Sequence, residues 1–186
     1  MPARTATFLI LALVLDIQGQ VQPRRPTNNR DLQLVDQSGN IQKPRDIESS
    51  YETLGTDWTL DATSGDRISS TYATNGTAEV FRGRGVFPDG TVLVRQVVGT
   101  EHDGPDAQRQ YLAPGTVEWF VMIKESTRRF RGKPQWGEGW GWARFRSDRP
   151  DARILVDYKK DCAGCHVRAK NTDWIFVSNY EKLRMK

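Results

Sequence analysis

From Trp58 onward, short runs of β-branched and aromatic residues are separated by Gly, Asn, Asp and Pro, the pattern of strands punctuated by turns. The clearest run is Val117 to Lys124. Val117, Trp119, Val121 and Ile123 fall on one face, Glu118, Phe120, Met122 and Lys124 on the other, because successive strand side chains point to opposite sides. The first face reads as core; the second mixes an acid, a base and two soft apolar groups. Arg67 to Ala73 predicts another strand. Asn75-Gly76 predicts a turn feeding a short helix through Glu79, Val80 and Phe81. Phe87-Pro88-Asp89-Gly90 predicts a turn leading into a strand over Thr91 to Val98. Ile47 to Leu54 has apolar positions at helical spacing and predicts a short helix ending at Gly55, while Trp174-Ile175-Phe176-Val177 reads as a strand.

The N-terminal part has a different character. Arg4 supplies a positive charge, Phe8 to Leu15 is a short apolar run, and small residues follow near Gly19, which predicts a secretory signal peptide over residues 1–20. The run is too short to span a bilayer; an uncleaved interfacial anchor is the alternative. Residues 21–46 are rich in Gln, Pro, Asn and Arg and predict a flexible arm. Residues 47–186 then form one domain. A formal net charge of +4 in scattered arginines, with no nucleic-acid-binding motif, argues against nucleic acid and for a solvated surface able to steer an anionic partner. No second apolar stretch approaches membrane-spanning length, so no membrane partner is expected for the mature protein.

The chemistry concentrates in Cys162-Ala163-Gly164-Cys165-His166, the C-x-x-C-H attachment signature of a c-type haem. Two thiols at this spacing reach the two vinyl groups of one porphyrin, and the adjacent imidazole supplies an iron ligand. A zinc site would need more ligands, yet these are the only cysteines and the only other histidine is His102. A thioredoxin-like motif would sit near the start of a βαβ pattern, and this one lies near the C-terminus. Thioether attachment is normally completed outside the bacterial cytoplasm, which agrees with an exported, periplasmic protein. Trp136, Trp140, Trp142 and Phe145 either cover a porphyrin or form an aromatic core.

Several ordered blocks carry a family resemblance: Tyr72-Ala73-Thr74-Asn75, Phe81-Arg82, Phe87 to Val94, Phe120 to Lys124, Gly139 to Trp142, Cys162 to His166 and Asp173 to Phe176. Over about Trp58 to Leu183 the chain resembles the cytochrome P-460 family. The resemblance implies a mainly β (α+β) fold, an antiparallel sheet with a few short helices around one covalent haem c, often as a homodimer. It carries over Cys162 and Cys165 as attachment residues and His166 as the iron ligand. Family members include hydroxylamine-oxidising enzymes, in which a lysine is also bonded to the porphyrin. The similar beta-type cytochromes c-prime bind nitric oxide without turnover. Both leave one side of the iron open.

The residues facing that open side are less determined. Where family sequences commonly carry a lysine in the strand after Phe-Pro-Asp-Gly, this chain has Arg95-Gln96. Arginine stays protonated and is a poor nucleophile, which weakens the hydroxylamine-oxidase reading. Lys124 is an alternative cross-linking candidate, and Arg95, Glu118 and Lys124 are the candidate distal residues, with Glu118 or Glu125 as an acid or base. Strand alternation lets only one of Arg95 and Gln96 face the haem. His102 reads as a loop histidine and Met122 as packing; a Met122 ligand would instead make a low-spin electron-transfer cytochrome. The functional expectation is an exported mono-haem cytochrome that binds or converts small nitrogen or oxygen species, with a redox protein as a further candidate partner.

Overall fold

The structure, a computed structural model, describes residues 32–59, 66–100, 113–149, 154 and 156–184. Its strands are β1 (Glu52–Thr59), β2 (Arg67–Ala73), β3 (Val92–Gly99), β4 (Val117–Lys124), β5 (Trp136–Gly137) and β6 (Trp140–Arg146). They form one antiparallel sheet in the order β1-β2-β3-β4-β6-β5. Short helices flank it: α1 (Ile47–Ser50), α2 (Thr77–Arg84), α3 (Tyr158–Asp161) and α4 (Ala163–His166), followed by three 3-10 turns. The expected mainly β fold with a few short helices is the fold found, and the runs at 67–73 and 117–124 are strands with those limits. β5 and β6 are joined by Glu138-Gly139, both at positive φ (58° and 78°), the geometry of the tight hairpin turn that matches strand twist.

Period-two alternation divides the core. In register across the sheet, Ala73, Leu93, Met122 and Trp142 form one row. This row joins Phe81, Phe87 and Trp140 to the C-terminal residues Ile175, Tyr180 and Leu183. The opposite face carries Tyr72, Val94, Val121 and Ala143, packed with Ile41, Ile47, Phe130 and Trp136. The haem-attachment motif therefore lies on the side of the sheet to which β4 presents its mixed face.

Three expectations change. The helix expected over Ile47 to Leu54 is a single turn: Tyr51 is extended (φ −123°, ψ 150°), and from Glu52 the backbone pairs with β2. Pairing across the sheet outweighs the local helical spacing, and Leu54 enters the core from a strand. Trp174-Ile175-Phe176-Val177 is no strand. Asp173 and Trp174 have left-handed backbones (φ 56° and 68°), and a 3-10 turn occupies Val177–Asn179.

Residues 32–46, expected to belong to a flexible arm, pack on the sheet. Ile41 is buried and bridges Val35, and the nearby Gly39 carbonyl accepts Trp136 Nε1–H at 2.7 Å. Its polar composition hides a few apolar contacts that only the sheet face creates. Ile41→Ala should lower unfolding free energy by about 2–4 kcal/mol in chemical denaturation. Trp58→Ala, at a ring that is largely exposed, should change it by no more than about 0.5 kcal/mol.

Candidate functional site

The attachment motif stands on a kinked helical pair. Asp157 caps α3 by accepting Lys159 N–H at 3.1 Å, and Asp161 returns a carboxylate to Asp157 N–H at 2.8 Å. Cys162 (φ −126°, ψ −46°) breaks the helix, and its carbonyl accepts from the backbone N–H groups of Cys165 and His166, starting α4. The break turns the two thiols into different surroundings. Cys162 is half-buried against the core and Cys165 is exposed; neither is in a disulfide. Burial, reinforced by Asp161, pushes the Cys162 thiol up to about 11.

His166 is held on three sides. Its Nδ1 lies 2.7 Å from the Trp174 carbonyl, an obligate acceptor, so Nδ1 carries the proton and Nε2 keeps its lone pair. Trp142 meets the ring edge-on at 4.8 Å between centroids, and Phe176 lies at 5.4 Å. Burial holds the imidazole pKa below the usual histidine value; the Trp174 carbonyl opposes this and the Arg95 charge adds to it. The neutral, Nε2-ready tautomer that a metal requires is thus the resting one at neutral pH.

The wall opposite is the mixed face. Arg95 shares a face with Leu93, and its charge is felt at His166. Gln96 points the other way, where its amide accepts Trp119 Nε1–H at 2.9 Å and donates to Glu48. Arg95, Phe120 and Arg144 are in register across β3, β4 and β6. Arg144 pairs with Glu118, whose carboxylate is fully buried with Oε2 lacking a hydrogen-bond partner, and its guanidinium lies 5.5 Å from the Phe120 ring centroid.

Lys124 is engaged by a carboxylate. Its ammonium is buried 2.5 Å from Asp173 Oδ1 and 4.8 Å from the Trp140 ring centroid. Asp173 was invisible as a functional residue in the sequence, although it begins one of the resembling blocks. Of the four crowded aromatics, Trp140 and Trp142 belong to the motif side, whereas Trp136 and Phe145 pack on the other face. A separate cavity of about 740 Å³ opens beside α3 between Tyr158, Trp140 and the basic Arg128 to Lys133 loop, and neither cysteine nor His166 lines it. His102 lies outside the described residues.

Among the described residues, no group of three or more His, Cys, Asp or Glu is arranged to hold a metal ion. One prepared imidazole beside two unbonded thiols instead suits a metal that arrives in its own macrocycle. The family model of cytochrome P460 matches residues 45–177. The chain belongs to the cytochrome P460 family. It is a haem c cytochrome, and its cofactor contains iron. No curated protein matches it.

The Glu118–Arg144 pair generates a stability test. Because the Arg144 side chain is 30% exposed, Arg144→Met should cost roughly 2–3 kcal/mol, below the full penalty for stranding a buried carboxylate. Arg144→Met combined with Glu118→Leu should recover most of that loss in denaturant titration, since no charge is then left buried.

Proposed function

We propose that this member of the cytochrome P460 family is an exported, mono-haem protein whose open iron face binds or converts small nitrogen or oxygen species. Cys162 and Cys165 hold the porphyrin by thioethers and His166 Nε2 binds the iron. The bound haem supplies one-electron chemistry and an iron coordination site. The chain supplies the setting: Trp142 and Phe176 orient the imidazole, the Trp174 carbonyl holds its proton at Nδ1, and Phe120 with Leu93 gives an apolar wall.

The observation that carries the reading is Arg95, on the His166 side of the sheet in the stretch where the family resemblance leads one to expect lysine. Its fixed charge and planar donors suit an anion such as nitrite or a bound oxygen species. With Lys124 held by Asp173, neither residue is disposed to form a ring cross-link, which favours ligand binding over hydroxylamine oxidation. Met122 belongs to the buried core cluster and faces Leu93 and Trp142 in register, which favours a packing role over iron ligation. Export rests on the leader pattern in residues 1–20, outside the described residues; among the described residues no helix is long and apolar enough to cross a membrane. A redox protein and a second copy of the chain remain proposed partners.

The attachment assignment predicts that protein matured with cytochrome c assembly keeps its haem through denaturing electrophoresis. Cys162→Ala with Cys165→Ala should abolish this, and His166→Ala should retain attached haem with altered iron spectra. Covalent haem in the double variant would refute the assignment.

The open-site reading predicts the intact mass of protein recovered outside the cytoplasm: a chain beginning beyond about residue 19 plus one haem, with no further hydrogen loss. Carbon monoxide and nitric oxide should both bind the ferrous form. A lysine cross-link in the mass, with a red-shifted ferrous Soret band, would restore hydroxylamine oxidation. Exclusion of both gases would indicate an electron carrier.

A further inference from the structure

The segment that presents a carbonyl to His166 is locally unfavourable. Asp173 and Trp174 are consecutive non-glycine residues at positive φ (56° and 68°). Aspartate tolerates that region through its short polar side chain, but tryptophan has no such compensation. Such a corner persists only where its surroundings over-determine it. Four hydrogen bonds do so. Asp173 Oδ1 accepts from Lys124 Nζ at 2.5 Å and Oδ2 from Phe87 N–H at 3.0 Å. The Asp173 carbonyl accepts Trp140 Nε1–H at 2.9 Å, and Trp174 N–H donates to the Ala169 carbonyl at 2.9 Å.

These donors come from separated parts of the chain, and three belong to the sheet framework. Lys124 ends β4, where its N–H donates to the Thr91 carbonyl and its carbonyl accepts Gly90 N–H. Phe87 opens the same Phe-Pro-Asp-Gly turn, and Trp140 begins β6. The turn and two strand ends therefore converge on one carboxylate and its own carbonyl. The next residue turns its carbonyl onto His166 Nδ1.

We infer that Asp173, held by Lys124, is a positioning residue for the iron ligand: the pair fixes the left-handed corner that aims the Trp174 carbonyl at His166, and so sets the ring's orientation and its donor strength toward iron. The inference rests on the reading of His166 as that ligand. A hydrogen bond from Nδ1–H to a fixed carbonyl makes the other nitrogen a stronger donor, which favours ferric over ferrous iron. Releasing the corner weakens that donation. Lys124 thereby acts on the iron ligand through Asp173, rather than as a distal group.

The test uses haem-loaded protein and two readouts that loss of stability alone would not move in a defined direction. Asp173→Ala and Lys124→Met should lower the iron–histidine stretching frequency in the resonance Raman spectrum of the ferrous form and raise the midpoint potential. Lys124→Arg, which restores a cation, should return both toward the native values. Trp140→Phe removes one donor to the corner while keeping an aromatic ring in the core; it should shift both in the same direction by less, and it decides the matter if the stronger variants fail to load haem. Unmoved stretch and potential in the loaded variants would overturn the inference. His166→Gly separates the two claims: the iron–histidine band should vanish, and a band that persisted would refute the ligand reading itself.

Discussion

Strand alternation in the three central strands forces Leu93 and Arg95, Phe120 and Met122, and Trp142 and Arg144 to one side of the sheet. Slipping one strand by a residue would exchange its members of that set for Val94 and Gln96 in β3, Val121 in β4 or Ala143 in β6, and in β4 or β6 would part Glu118 from Arg144. The register is therefore strongly specified by burial on both faces. The attachment helices, which have little core of their own, take their place by leaning on Trp142 and the neighbouring cluster. An α4 of four residues would not persist alone.

Charge is placed on this face in two different ways. Arg144 and Glu118 neutralise each other in the interior, a device that adds little net stability but makes each partner costly to remove. Arg95 brings positive charge toward the His166 side. The sheet thus presents apolar residues beside a fixed positive charge on this face. Lys124, which the sequence offers as an alternative candidate for that wall, pairs with Asp173 instead.

The Phe-Pro-Asp-Gly turn has a larger part than its local chemistry suggests. Besides reversing the chain before β3, it donates Phe87 N–H to Asp173, holds the backbone of Lys124 through Gly90, and caps Ser126 through the Asp89 carboxylate. A motif that reads as punctuation along the chain is a junction in space, where the end of β4 and the segment after the attachment helices meet.

By itself the sequence determined the features whose causes are local. The C-x-x-C-H motif at Cys162, Cys165 and His166 is legible because thioether chemistry demands a short covalent spacing. The strands at 67–73 and 117–124 are legible because runs of β-branched and aromatic residues bounded by turn residues favour extended backbone. Tertiary structure decided whatever depends on partners distant in sequence. It chose Arg95 over Gln96 for the His166 side, converted Leu54 from a helical to a strand position, and drew Ile41 into the core. It also bent Asp173 and Trp174 into a left-handed corner where the sequence reads as a strand, because hydrogen bonds from Phe87, Lys124 and Trp140 outweigh local backbone preference there. Those donors lie 86, 49 and 33 residues away along the chain, beyond the reach of any local pattern.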